Sequence, residues 1–151
     1  MYKKILAPLD GSEFSECSLM HVMAIAKGCA VPGVVLLRII EPLNKYMVYA
    51  GIGQKALREI RKEFLAQTGE YLAKTADQLK KKGINAETVI IEGEPADEIL
   101  NYADKKQADL IIMSTHGSSG LTRWAFGSVS DKVIRHSPVP VLVIAPAGCR
   151  R

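Results

Sequence analysis

The stretch "ADLIIMSTHGSSGLTRWAFGSVSDKVIRHSPVPVLVIA" (108–145) holds an apolar run, a loop rich in glycine and serine, a helix-like segment and a second apolar run. The first run, at 109–114, is short enough to be a buried strand. The segment 128–137 is predicted to be a helix, and a strand at 139–145 follows it. A strand, a helix and a strand in this order are typical of an α/β protein with a parallel sheet.

The rest of the chain continues this alternation towards the N-terminus. The run "GVVLLRII" (33–40) is almost continuously apolar, which is typical of a strand covered on both faces. We therefore predict a single domain over residues 1–151, with a five-stranded parallel sheet and helices on both faces, a Rossmann-like three-layer sandwich. The remaining predicted strands are 3–9 and 85–93, and the remaining predicted helices are 12–30, 54–82 and 95–108.

Composition argues against several classes of partner. The net charge of +4 comes from lysines and arginines scattered among carboxylates, and "KKK" (80–82) has no interleaved aromatic residues, so no nucleic-acid partner is predicted. No apolar run approaches the ~20 residues of a membrane span. The first apolar run stops at Asp10 without a cleavage site after it, which favours the cytoplasm. The three cysteines form no C-x-x-C pair, so we expect neither a metal site nor a disulfide.

Two loops with unusual chemistry follow predicted strands. "PLDGS" (8–12) follows the first strand, and "STHGSSGLTRWAFGS" (114–128) follows the fourth. In open parallel sheets, ligands bind beyond the carboxyl ends of the strands, at the point where the strand order reverses. If the first and fourth strands are neighbours across that point, both loops face the same crevice. The sequence therefore predicts one binding site between these two loops.

The second loop has features of an anion site. Gly117 and Gly127 permit a positive φ and let a ligand approach the backbone closely. Gly127 directly precedes a helix, whose first N–H groups and positive dipole end suit phosphate, and the hydroxyls of Ser128 and Ser130 would add donors. The alternative is a well-capped helix start that binds no ligand. The loop has neither the lysine of a P-loop nor the G-x-G-x-x-G of a dinucleotide-binding fold.

Three blocks of the chain resemble the universal stress protein family. They are "KKILAPLDGSEFSE" at the start, "EGEPADEILNYADKKQADLIIMSTHG" in the middle and "GLTRWAFGSVSDKVIRHSPVPVLVI" at the end. Nucleotide-binding members of that family resemble one another in a pattern of G-x-x-G, nine residues and then G-[S/T]. This chain has Gly117, nine residues (118–126) and Gly127-Ser128, with Ser114 in place of the first glycine.

The resemblance implies an adenine nucleotide alpha hydrolase-like fold that binds ATP. It implies that Asp10 accepts hydrogen bonds from the ribose hydroxyls, although residue type alone leaves Asp10 equally suited to cap the first helix. Ile39 and Met113 would line the site, although such residues are more often core. A Mg²⁺ or Mn²⁺ ion would be held by the phosphates, and no protein metal site is predicted. The implied cofactor-binding residues are Pro8, Leu9 and Ile39 at the adenine, Asp10 at the ribose, Met113 and Ser114 beside the sugar, and Gly117, Gly127, Ser128, Val129 and Ser130 at the phosphates.

Three classes of function follow from these features. The resemblance implies an ATP-binding regulatory or stress-response protein, whose conformation or assembly depends on the nucleotide and which acts on a downstream protein. The alternatives are a slow ATPase and a dimeric interaction module with a vestigial nucleotide site. No base and nucleophile are paired in the sequence, so no catalytic residue is predicted and a binding protein is favoured over an enzyme. The strand 139–145, which the resemblance places at a sheet edge, would pair with its copy in a homodimer.

Overall fold

Strands and helices alternate along the whole of the described chain. A computed structural model describes residues 1–42, 53–115 and 127–145. Within these residues there are five strands and four helices. The strands are β1 (Lys4–Pro8), β2 (Gly33–Ile40), β3 (Ala86–Glu92), β4 (Leu110–Ser114) and β5 (Val141–Ile144), and the helices are α1 (Glu13–Gly28), α2 (Gln54–Lys81), α3 (Pro95–Lys105) and α4 (Ser128–His136).

The strands form one parallel sheet in the order β3-β2-β1-β4-β5. The chain runs from β1 outward to β3 on one side, and then returns to place β4 against the other side of β1. The strand order therefore reverses between β1 and β4. This arrangement confirms the predicted five-stranded sheet, and it confirms the pairing of the first and fourth strands that the predicted crevice requires.

Apolar side chains cover both faces of the sheet, because successive residues of a strand point to opposite faces. On one face, α1 and α2 pack over fully buried residues such as Leu36 and Ile112. On the other face, α3 and α4 pack over fully buried residues such as Leu37 and Ile111. The predicted three layers, with helices on both faces, are confirmed.

Helices α1, α2 and α3 each end in the same type of turn, and these three turns lie at the amino-terminal edge of the sheet. Two residues after each helix the chain takes a left-handed φ, of 51° at Ala30, 79° at Gly83 and 52° at Gln107. This is the Schellman motif, which satisfies the last carbonyl groups of a helix. The closing hydrogen bonds run from Val31 N to Ala26 O (2.8 Å), from Ile84 N to Leu79 O (3.0 Å) and from Ala108 N to Ala103 O (3.0 Å).

Several elements are shorter than the sequence predicts, and two of them show the reason. Helix α3 ends at Lys105 rather than at residue 108, because Gln107 turns the chain out of the helix. Strand β5 covers Val141–Ile144 rather than 139–145, because Pro138 and Pro140 have no N–H to donate to β4.

The expectation of no disulfide is wrong for Cys17 on α1. Cys17 is disulfide-bonded. Cys29 is a free thiol. Spacing along the chain does not show which cysteines approach each other in space, which is the condition for a disulfide.

Among the described helices, none is long and apolar enough to cross a bilayer.

Candidate functional site

A cavity of about 500 Å³ opens at the carboxyl ends of β1, β2 and β4. It lies at the point where the strand order reverses, and the first residues of α4 form part of its wall. Its volume is within the ~300–1,000 Å³ that is usual for small-molecule sites. Gly117 lies outside the described residues. The other predicted cofactor-binding residues all line the cavity: Pro8, Leu9, Asp10, Ile39, Met113, Ser114, Gly127, Ser128, Val129 and Ser130.

A tight turn after β1 fixes the position of Asp10. Gly11 has a φ of 80°, a left-handed conformation that glycine adopts readily. Across the turn, Asp10 Oδ1 accepts hydrogen bonds from Ser12 N at 2.9 Å and from Ser12 Oγ at 2.5 Å. Ser12 is the N-cap of α1, and its Oγ accepts from Ser15 N at 3.1 Å. The alternative in which Asp10 itself caps the first helix is therefore wrong, because Asp10 instead orients the residue that does.

Arg38 is the one charged residue of the otherwise apolar strand β2. Its Nη1 donates to Leu9 O at 3.3 Å, so it contacts the chain next to Asp10. Burial lowers the pKa of the Arg38 guanidinium, and the nearby Asp10 carboxylate and Tyr71 hydroxyl act in the opposite direction. Because arginine stays protonated in proteins, the cavity has a fixed positive charge beside Asp10.

Helix α4 begins very close to the end of β4, and glycine permits this approach. Gly127 N donates to Thr115 O at 2.9 Å. A Cβ atom on Gly127 would lie only 3.0 Å from the same oxygen. The φ of Gly127 is −60°, so the positive φ that glycine permits is not used at this position. The close packing of two backbone segments therefore favours glycine there.

The first N–H groups of α4 form the donor side of the cavity. The first hydrogen bond of the helix joins Asp131 N to Gly127 O at 2.9 Å. The N–H groups of Ser128, Val129 and Ser130 consequently have no acceptor within the helix. Together with the positive end of the helix dipole, they favour an anion at this place.

The hydroxyl of Ser130 has a structural partner. Ser130 is only 2% exposed, and its Oγ lies 2.9 Å from both Thr115 O and Gly127 O. A hydroxyl has a single proton, so these two carbonyl groups share it. Of the two predicted hydroxyl donors, only the exposed Ser128 is left for a ligand.

The opposite side of the cavity is apolar. Leu9 and Met113 are 3% and 5% exposed, and Ile39 packs against the core that α3 and α4 cover. These residues therefore belong to the core and line the cavity at the same time. Phe64 of α2 adds an aromatic ring to the lining.

Four polar residues that were not predicted from the sequence line the cavity: Arg38, Ser15, Glu41 and Thr115. Arg38 carries a signal in the sequence, because it interrupts an apolar strand with a charge. Ser15 and Thr115 carry none, since their role depends on which backbone atoms the fold brings near them. Within the described ranges, no three metal-ligating side chains are grouped.

Comparison with known proteins places the chain in a known family. The sequence profile of the universal stress protein family matches residues 1–145. The chain belongs to the universal stress protein family. Among universal stress proteins, MJ0531 of Methanocaldococcus jannaschii is 36% identical to it over 149 residues, which cover 95% of this chain and 82% of the relative.

Solved structures of the family have the same fold. The structure of MJ0577, also a universal stress protein of Methanocaldococcus jannaschii, matches with a TM-score of 0.83 and 32% identity, covering 96% of each chain. A universal stress protein of Arabidopsis thaliana, with AMP bound, matches with a TM-score of 0.65 and 19% identity, covering 95% of this chain and 91% of the other. The likeness to MJ0577 supports the parallel α/β fold described above.

The buried hydroxyl of Ser130 should stabilise the junction between β4 and α4 in this universal stress protein. Ser130→Ala removes the hydrogen bond to Thr115 O, so we expect the free energy of unfolding to fall by about 1–3 kcal/mol. Urea unfolding followed by circular dichroism measures the change. Ser128→Ala, which removes an exposed hydroxyl of the same helix turn, is the matched control and should cost less than about 0.5 kcal/mol. Equal losses in the two variants would contradict this role of Ser130.

Proposed function

We propose that the protein binds ATP in the cavity between the Asp10 turn and the N-terminus of α4. The observation that carries the proposal is that a single cavity joins these two features. A nucleotide has hydroxyl donors on its sugar and negative charge on its phosphates. An acceptor carboxylate at one place and a row of N–H donors at another match these two parts. The AMP-bound relative from Arabidopsis thaliana supports an adenine nucleotide as the ligand.

The triphosphate would lie at the N-terminus of α4. The backbone N–H groups of Ser128, Val129 and Ser130 would donate to its oxygens, and the helix dipole would favour its charge. The Ser128 hydroxyl would add a donor. Gly117, which the family pattern assigns to the phosphates, stays a prediction. A Mg²⁺ or Mn²⁺ ion would be bound by the phosphates themselves.

The nucleoside would lie at the carboxyl ends of β1 and β2. The Asp10 carboxylate would accept hydrogen bonds from the ribose hydroxyls, which are donors that a carboxylate can bind. The apolar lining would exclude water from the faces of the base. In this proposal Pro8, Leu9 and Ile39 contact the adenine, and Met113 and Ser114 lie beside the sugar.

Ser128→Pro tests the position of the phosphates without loosening the helix. Residue 128 is the first of α4, where proline is favoured. Gly127 before it has the extended backbone (φ −60°, ψ 151°) that a following proline requires. The substitution removes one N–H donor and puts the ring in its place, so we expect the affinity for ATP to fall at least about tenfold. Isothermal titration calorimetry measures it.

The matched control is Ser128→Ala, which keeps the N–H group and loses only the hydroxyl. It should weaken ATP binding less than Ser128→Pro does. Adenosine, which has no phosphates, should bind the wild type and both variants with similar affinity. An unchanged affinity for ATP in Ser128→Pro would show that the phosphates lie elsewhere.

We further propose that bound ATP regulates the protein rather than serving as a substrate. No described residue that lines the cavity is a histidine, a lysine or a cysteine. The carboxylates of the described lining, Asp10 and Glu41, follow β1 and β2. A general base must reach the attacking water beside the phosphates, and neither carboxylate belongs to the start of α4, where the phosphates would bind. The slow ATPase is the alternative.

The protein purified without added nucleotide should retain ATP, because a binding site without hydrolysis leaves the triphosphate intact. Mass spectrometry of the denatured protein identifies the nucleotide, and phosphate release measures turnover. Retained ADP together with steady phosphate release would support the ATPase. An empty cavity and no binding on titration would support the interaction module with a vestigial site.

We also propose that two copies pair through β5, which lies at the edge of the sheet. Pro140 O accepts from Ile111 N and Ile144 O accepts from Thr115 N, each at 3.0 Å, so residues 140 and 144 direct their carbonyl groups towards β4. Alternate residues of a strand direct their N–H and C=O groups to opposite sides, so Val141 and Val143 direct theirs to the open edge. An antiparallel pair about a two-fold axis would satisfy those groups.

Val143→Pro should give a folded monomer, because it removes an N–H that faces the open edge and leaves the bonds to β4 intact. Leu142→Pro is the matched control, since it removes an N–H that faces β4 and should lower the melting temperature strongly. Light scattering gives the mass, and circular dichroism gives the melting temperature. A wild type that is monomeric at micromolar concentration would overturn the proposed dimer.

A further inference from the structure

Both polar atoms of the peptide group between Leu9 and Asp10 are bound by side chains. On one side, Leu9 O accepts from Arg38 Nη1 at 3.3 Å. On the other side, Asp10 N donates to Ser15 Oγ at 3.3 Å. These two contacts come from β2 and from α1, so the peptide group is held between two separate elements.

The two contacts are anchored in different ways. Ser15 is 4% exposed, and its Oγ also donates to Ser12 O at 2.9 Å, which ties it to the cap of α1. Arg38 extends from β2, an internal strand that pairs with β1 on one side and with β3 on the other. Because a guanidinium is planar and donates in fixed directions, it restricts the direction of the carbonyl group that it binds.

We propose that Arg38 is the positioning residue that holds Asp10 in place for a ribose, and that it thereby makes the site select nucleotides that carry ribose hydroxyls. This inference rests on the proposed binding of ATP. A carboxylate binds a pair of hydroxyls well only when its plane and its distance are fixed. The Asp10 side chain extends from the peptide group that Arg38 and Ser15 hold, so loss of either contact lets the carboxylate move.

Arg38 has a second effect, on charge. It is the only cationic side chain among the described residues that line the cavity, and it lies beside Asp10. It therefore offsets the negative charge of Asp10 towards any anionic ligand. This second effect is the same for every nucleotide of equal charge, whereas the positioning effect appears only with a ligand that has ribose hydroxyls.

A comparison of ATP with 2′,3′-dideoxyATP separates the two effects, because these ligands have the same charge and differ only in the hydroxyls. Wild type should bind ATP about tenfold or more tightly than the dideoxy nucleotide, as expected for hydrogen bonds to a charged group. Arg38→Met keeps the apolar stem and removes the guanidinium. It should reduce this preference to about twofold or less, chiefly by weakening ATP.

Two further variants make the comparison specific. Ser15→Ala removes the contact on the other side of the same peptide group without a change of charge, and it should reduce the preference for ATP in the same way. Arg58→Gln removes a positive charge from an exposed site on α2 and should leave the preference unchanged. Calorimetric titration of each variant with both ligands gives the preference as a ratio of dissociation constants.

Hydrogen exchange of the Asp10 amide in the absence of ligand tests whether Arg38 holds the peptide group between Leu9 and Asp10. This test does not depend on the proposed function. Arg38→Met should speed this exchange several-fold, because the peptide group moves more freely when one of its two contacts is lost. An unchanged exchange rate would overturn the positioning role whatever the titrations show.

The titrations have two contrary outcomes with different meanings. If Arg38→Met weakens both nucleotides by the same factor, Arg38 acts through charge alone and the positioning role is overturned. If wild type binds neither nucleotide, the proposed ATP site is overturned together with the ribose selectivity, and the exchange measurement alone decides whether Arg38 holds the Asp10 peptide group.

Discussion

The parallel pairing of β1 with β4 is the constraint on which the rest of the molecule depends. Asp109 links the starts of the two strands, because its Oδ2 accepts from Lys3 N at 2.8 Å. At the other end, α1 packs on one face of the sheet and α4 on the opposite face. The cavity lies at this end, with an acceptor carboxylate after β1 and helix N–H donors at the start of α4.

Most of the fold follows from patterns that can be read in the sequence. The apolar run 33–40 gave a central strand, and Gly83 marked the end of α2, because glycine at a left-handed position is a common helix terminator. The ends of α1 and α3 were less visible, since Ala30 and Gln107 adopt the same left-handed φ without the residue type that signals it. Their conformation is imposed by the buried residues that follow, Val31 and Ala108.

The candidate site was predictable where function depends on position along the chain, and less so where it depends on contacts between distant residues. Asp10, Ser128 and Val129 lie directly after a strand or at the start of a helix, so their place at the cavity could be predicted. The reason for a glycine at position 127 could not be predicted. It is the close approach of the Thr115 carbonyl oxygen, and not a positive φ. The contact of Arg38 with Leu9 O joins residues 29 positions apart, and no local pattern encodes it.

The three Schellman turns have a consequence for how such a protein can adapt. They lie at the amino-terminal edge of the sheet, and the cavity lies at the carboxyl edge. A left-handed φ costs a residue with a side chain on the order of 1 kcal/mol more than it costs glycine. Ala30 and Gln107 both bear that cost. Substitutions by glycine at these turns would therefore stabilise one edge of the sheet without changing the residues that line the cavity at the other edge.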